Sequence, residues 1–69
     1  MTVQERVERF LRRNKGKTYC DDCIADNLYL PSSTQAQKAT SALSRTGGFL
    51  RNKDRCSQCR KAKKVTYAL

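Results

Sequence analysis

The sequence predicts a small α+β domain of three helices and a small antiparallel β-sheet. Two observations support this class. Apolar residues recur at spacings of three and four in three segments, and β-branched and aromatic residues mark short stretches typical of strands. The 69 residues suffice for one domain, which we expect to span residues 1–69. A core of this size gives only marginal stability, so an additional cross-link is expected.

The first predicted helix lies at the N-terminus. Thr2 and Glu5 have the spacing of a capping box, with Thr2 as the N-cap. Gly16 supplies a stop signal after the apolar stripe. Thr18 and Tyr19 favour extended structure, so a strand of two or three residues is expected next. The apolar stripe of the helix consists of Val3, Val7, Phe10 and Leu11.

A short second helix is predicted to begin at the sequence CDDC. Asp21 and Asp22 suit its first turn, because carboxylates stabilise the positive end of the helix dipole. Pro31 disfavours the helical conformation at Leu30. The second helix should therefore end by about Tyr29.

The third helix is the clearest element of the sequence. Ser32 and Gln35 have the spacing of a second capping box, and Gly47 and Gly48 end the helix. The inward face is predicted to consist of Ala36, Ala39 and Leu43. The opposite face contains no acid and consists of side chains that can hydrogen-bond, namely Thr34, Gln37, Lys38, Ser41 and Arg45.

Two strands are predicted near the C-terminus. They are the sequences FLRNK and KVTYAL, and a basic loop that contains two cysteines separates them. The predicted order of elements is therefore helix, short strand, helix, tight turn, helix, strand, basic loop and strand.

Two CxxC pairs are the most specific motif of the chain. They are Cys20 with Cys23 and Cys56 with Cys59, and the sequence contains no histidine. Zinc prefers four tetrahedral ligands, and a spacing of two residues lets one turn present two sulfurs. The pattern predicts one structural Zn²⁺ ion bound by all four thiolates, although iron could occupy the same sulfur geometry. Four protein ligands leave no open position for a substrate, so we expect no enzymatic activity.

A redox pair and a disulfide framework are alternative interpretations. Cys20 and Cys23 would follow a strand at a helix N-terminus, a placement that lowers a thiol pKa. Asp21 and Asp22 oppose thiolate formation there, and a redox role leaves the second pair unexplained. Disulfides are disfavoured because nothing indicates secretion, so we expect a reducing, cytoplasmic compartment. Arg60 stands where zinc knuckles often have glycine, and a left-handed conformation at this residue would cost free energy.

The charge of the chain is strongly positive and unevenly distributed. The net charge is +9, and residues 27–69 contain nine basic residues against one acid. Such an asymmetry is typical of proteins that bind a polyanion, most often nucleic acid. No apolar run is long enough for a signal peptide or a membrane span, so we expect no membrane partner. We also expect no small-molecule substrate.

The stretch YCDDCIADNLYLPSSTQAQKATSALSRTGGFL, together with VTYAL, resembles a winged helix-turn-helix domain. In such a domain the first strand pairs antiparallel with the last one, which would place Tyr19 beside Lys64 or Val65 and bring the two CxxC pairs together. The resemblance implies that the third helix enters the major groove of DNA through the polar face described above. It also implies phosphate contacts from the wing, for which the candidates are Arg51, Lys53, Arg55, Arg60, Lys61, Lys63 and Lys64.

Two functions follow as expectations. The first is a small DNA-binding protein, a nucleoid-associated transcriptional regulator that acts by occupying double-stranded DNA. The second is a protein-interaction module whose basic surface binds an acidic protein. RNA binding is weaker, because the chain lacks the aromatic platform that readers of single-stranded RNA use.

Overall fold

The computed structural model describes residues 2–69, and it has the predicted α+β class. Three helices and three strands follow one another along the chain in the predicted order. The helices are α1 (Val3–Arg13), α2 (Asp21–Leu28) and α3 (Ser33–Leu43). The strands are β1 (Tyr19–Cys20), β2 (Phe49–Arg55) and β3 (Ala62–Ala68).

Most helix ends follow local sequence signals, but α3 ends at Leu43, before the predicted stop at Gly47 and Gly48. The capping box of α1 is confirmed, because the Glu5 amide donates to the Thr2 hydroxyl at 3.1 Å and the Glu5 carboxylate accepts from the Thr2 amide. Helix α2 ends at Leu28, and Tyr29 follows in the left-handed conformation at φ 56°. The second predicted capping box is wrong, because Ser32 is the N-cap of α3 but its side chain makes no capping hydrogen bond.

The three strands form one antiparallel sheet in the order β1-β3-β2. Tyr19 pairs with Thr66 and Cys20 with Val65, so the predicted pairing of the first strand with the last is confirmed one residue further along β3. The β2–β3 hairpin is longer than predicted. Its register runs from Phe49 opposite Ala68 to Arg55 opposite Ala62.

The core lies between the three helices and one face of the sheet. Its largest fully buried side chains are aliphatic, namely Val7, Leu11, Ile24, Leu43 and Val65, and the nearly buried rings of Tyr19 and Phe49 pack with them. The predicted inward face of α3 is confirmed, because Ala36, Ala39 and Leu43 are buried. The two alanines are small and allow α1 and α2 to pack closely on α3. Among residues 2–69, no helix combines the length and the apolar character needed to cross a bilayer.

Candidate metal centre and basic surface

The fold brings the four cysteines into one cluster. Their four sulfur atoms all lie within 4.8 Å of one another. The distance is 3.8 Å between the sulfurs of Cys20 and Cys59, and 3.6 Å between those of Cys23 and Cys56. A tetrahedral ion with metal–sulfur bonds of about 2.3 Å requires sulfur separations of about 3.8 Å. All four are free thiols, so the cluster has the donor set and the spacing for one tetrahedral metal ion.

Each pair is positioned by a different piece of backbone. Cys20 ends β1 and is the N-cap of α2, which places Cys23 in the first turn of that helix. Cys56 and Cys59 lie in the tip of the β2–β3 hairpin. There the Cys56 amide donates to the Lys61 carbonyl at 3.0 Å, and the Arg60 amide donates to the Cys56 carbonyl at 2.9 Å. Arg60 adopts the left-handed conformation at φ 63°, which a glycine often supplies in such turns.

Cys56 differs from Cys20 and Cys23 in the pKa of its thiol. Burial would raise the pKa of Cys56, but backbone N–H groups of Cys59, Cys20 and Gln58 donate to its sulfur and lower the pKa to about 6. Burial raises the pKa of both Cys20 and Cys23. Cys56 therefore forms a thiolate more readily than Cys20 or Cys23, and a bound cation would favour deprotonation of these two thiols.

Hydrogen bonds also attach the hairpin tip to the rest of the domain. The amide and the hydroxyl of Ser57 both donate to the Thr18 carbonyl, at 2.8 and 2.6 Å. The Thr18 hydroxyl donates to the Arg55 carbonyl at 2.7 Å, and the Asn27 side chain donates to Gln58 at 2.6 Å. These contacts could not be predicted from the sequence, because none of these residues belongs to a motif that indicates its partner.

Arg51, a predicted phosphate contact, lies in a part-buried polar network instead of on the hairpin surface. Its guanidinium donates to both carboxylate oxygens of Asp21 at 3.0 Å, and its side chain is only 8% exposed. One guanidinium nitrogen also donates to the hydroxyls of Thr40 and Thr66, at 2.7 and 3.1 Å. Both threonines are fully buried. Arg51 therefore joins α2, α3 and the sheet, and both terminal nitrogens of its guanidinium donate to groups within the domain.

Lys63 also has a partner within the domain. Its ammonium lies 2.7 Å from the Asp22 carboxylate. The hydrogen bond from Lys63 lowers the pKa of Asp22, and the same bond raises the pKa of Lys63. Both side chains remain substantially solvent-exposed, so this pair is open to water and to ligands.

The five residues predicted for the polar face of the third helix come together, four on α3 and Arg45 in the turn that follows it. Thr34, Gln37, Lys38 and Arg45 are exposed, and Ser41 is half-buried. These five side chains, with Ala42, line a shallow groove of about 390 Å³. A second groove joins α3 to the N-terminus of α2 and to β3, and it is lined by Cys20, Asp21, Asp22, Ser33, Gln37, Lys63 and Lys64.

The remaining cations of the hairpin point to solvent. Lys53, Arg55, Arg60, Lys61 and Lys64 are all exposed. Lys53 pairs directly with Lys64 in the β2–β3 register, so two like charges face each other on one side of the hairpin. Such a pair is destabilising in isolation. Within residues 2–69, only Arg12, Arg51 and Lys63 form ion pairs with carboxylates, which leaves the other cations available to an external anion.

Comparisons of the chain with protein-family models, with curated proteins and with solved structures found no match. The geometry and chemistry of its residues are therefore the basis for inferring its function. Two features stand out: a closed four-sulfur cluster, and a continuous polar and basic surface that extends from α3 onto the hairpin.

Proposed function

We propose that the chain is a zinc-stabilised winged-helix domain that binds double-stranded DNA through α3 and the β2–β3 hairpin. The observation that carries the proposal is the continuity of this surface. Gln37 lines both the α3 groove and the groove that contains Lys63 and Lys64. Side chains that can reach base edges therefore adjoin cations that can contact phosphates.

The topology supports the winged-helix interpretation. The short β1 pairs with β3, β3 pairs with β2, and α3 directly precedes β2. This is the arrangement that the resemblance implies. In it, α3 would enter the major groove while the hairpin follows the adjacent backbone.

The charge pattern favours a polyanion as the ligand. Lys53 and Lys64 face each other on the hairpin, and Arg55 follows on the same side of β2. Holding these charges together costs free energy unless an anion neutralises them. The acids nearest to α3, Asp21 and Asp22, are paired with Arg51 and Lys63, so they oppose an incoming phosphate less than free carboxylates would.

The four cysteines would hold one structural zinc ion. Zinc in this site would cross-link the hairpin tip to the N-terminus of α2 and so fix the basic side chains relative to α3. A site of four thiolates has no open position, so we propose no catalytic role for the metal. Metal analysis of protein purified without added metal would distinguish zinc from iron.

The alternative function is an interaction module in which the same surface binds an acidic protein. The net charge of the hairpin supports this alternative as well. Binding of an acidic protein requires no contact between α3 and base edges. Substitution of Gln37 would therefore have little effect on that binding, whereas loss of the hairpin cations would weaken it.

Binding of the zinc-loaded protein to a library of duplex DNA, measured across a salt series, tests the proposal. We expect the logarithm of affinity to fall with the logarithm of salt concentration by about 0.9 for each phosphate contact. Gln37→Ala should reduce discrimination between sequences and retain non-specific binding. Gln35→Ala is the matched control, because Gln35 is exposed on the same helix but lies outside the α3 groove.

Two results would contradict the proposal. One is the absence of duplex binding at low salt. The other is equal loss of sequence discrimination in Gln37→Ala and Gln35→Ala, which would show that the α3 groove does not read bases. Arg45→Ala should weaken binding to all sequences if its contact is to phosphate, and selectively if its contact is to guanine.

A further inference from the structure

A third groove, the α1–α2 groove, lies between α1 and the C-terminal end of α2. It has a volume of about 190 Å³ and is lined by Arg6, Arg9, Phe10, Arg13 and Leu28. None of these residues lines the α3 groove or the groove beside Lys63. The α1–α2 groove is therefore a separate surface, and the proposed DNA contacts would leave it free.

The floor of the α1–α2 groove is apolar and held in place. Phe10 and Leu28 are half-buried, and the Phe10 ring packs edge-on against the Tyr19 ring with centroids 4.9 Å apart. Arg6 donates to the Leu28 carbonyl, which ties α1 to the end of α2. A floor fixed in this way is suited to receive an apolar side chain at little cost in ordering.

The rim of the groove is cationic. Arg9 and Arg13 are exposed, and neither forms an ion pair with a carboxylate of residues 2–69. They lie four residues apart on α1 and so project from the same side of the helix. Arginine and aromatic side chains are enriched at the energetic centres of protein interfaces.

The composition of the groove favours a peptide over a second nucleic acid at this surface. The exposed side of α1 includes Glu5 and Glu8 beside Arg9 and Arg13. Neither glutamate lines the α1–α2 groove, and Glu8 is paired with Arg12. The apolar floor of the groove gives a phosphate chain nothing to contact, whereas it can receive an apolar side chain of a peptide.

We propose that the α1–α2 groove binds an acidic peptide segment of a partner protein. An apolar side chain of the segment would pack on Phe10 and Leu28, and flanking carboxylates would pair with Arg9 and Arg13. The proposal does not rest on DNA binding. If both hold, the domain can carry an acidic partner while α3 and the hairpin occupy DNA.

The test uses the zinc-loaded protein and a 14-residue probe peptide of glutamate and leucine, with leucines at helical spacings of three and four. A peptide with the same leucines and lysine in place of glutamate is the charge control. We expect amide chemical-shift changes at Phe10 and Leu28 with the acidic peptide only. Arg9→Gln with Arg13→Gln should weaken binding about tenfold, whereas Lys38→Gln with Arg45→Gln should leave it unchanged.

Three outcomes would overturn the proposal. The first is the absence of chemical-shift changes at about 1 mM peptide, a concentration that detects even weak binding. The second is a set of shift changes on α3 that disappears in the Lys38→Gln, Arg45→Gln protein. The third is a set of shift changes at Phe10 and Leu28 that duplex DNA causes and the peptide does not. The last outcome would assign the groove to nucleic acid.

Discussion

The two cysteine pairs contribute equally to the cluster, but they lie in very different surroundings. Cys20 and Cys23 lie between β1 and α2, and Ile24 and Ala25, which follow them, are buried in the core. In the hairpin tip, by contrast, Cys56 is the only fully buried residue of the loop that joins β2 to β3. The first pair lies in the core beside α2, whereas the second lies in the loop that joins β2 to β3.

This difference indicates what the metal would do. The first pair is held by core packing and by the Asp21–Arg51 network, which join β1 and α2 to the rest of the domain. The second pair is held by hydrogen bonds of the hairpin tip to Thr18 and Asn27, and by the Cys20 amide, which donates to the Cys56 sulfur at 3.4 Å. Metal binding would therefore serve mainly to hold the hairpin and its cations against the rest of the domain.

The largest expected effect is that of metal removal. Structural zinc in small domains contributes on the order of 10 kcal/mol, which matches the whole stability of a typical domain of about 5–15 kcal/mol. We expect a strong chelator to abolish cooperative unfolding. Hydrogen exchange under mild chelation should lose protection first in the distal hairpin, at residues 53–64, and last in α1 and α3.

Substitution of the two pairs separately sharpens this test. Cys56→Ser with Cys59→Ser should release the hairpin and leave residual helical protection, whereas Cys20→Ser with Cys23→Ser should also disturb the start of α2. A reduced, metal-free protein with a well-dispersed NMR spectrum and a protected hairpin would contradict the role assigned to the metal.

The first pair and the helices could be predicted from sequence because their signals are local. Helical spacing, the Thr2 capping box and the restriction imposed by Pro31 each act within a few residues. The two CxxC pairs predict a contact between distant parts of the chain, because four thiolates at this spacing are typical of one shared metal site. The pairing of β1 with β3 followed from the resemblance to winged helices and agreed with that constraint.

The role of Arg51 could not be predicted in the same way. Whether an arginine on a strand faces solvent or a carboxylate depends on the sheet register and on which residues of α2 and α3 lie above it. The sequence FLRNK gives no clean alternation, so the side of the sheet on which Arg51 lies was undetermined. The burial of Thr40 and Thr66, whose hydroxyls require hydrogen-bond partners, is seen only in the structure.

The second expected effect concerns the network that supports the first pair. Arg51→Met leaves the Asp21 carboxylate without its partner in a site where the carboxylate is only 18% exposed. Breaking a buried ion pair in this way costs about 3–5 kcal/mol. Urea unfolding of the zinc-saturated protein measures the loss, and Asp21→Asn combined with Arg51→Met should recover part of it.

The Asp22–Lys63 pair is the matched control for that experiment. It also joins α2 to the sheet, but the Asp22 side chain is 59% exposed. Exposed pairs contribute little because water screens them. Asp22→Asn should therefore leave the urea midpoint nearly unchanged. Equal losses in Asp22→Asn and Arg51→Met would show that burial does not distinguish the two pairs.

The smallest expected effect concerns the turn of the second pair. Arg60 holds a left-handed conformation in the hairpin tip, where a residue with a side chain costs about 1 kcal/mol more than glycine. Arg60→Gly and Arg60→Ala remove the same charge, so they should weaken DNA binding equally. They should differ in stability, with Arg60→Gly more stable than Arg60→Ala by about 1 kcal/mol in urea unfolding. If the two variants are equally stable, the hairpin tip relaxes without cost, and the metal rather than the backbone conformation fixes the turn.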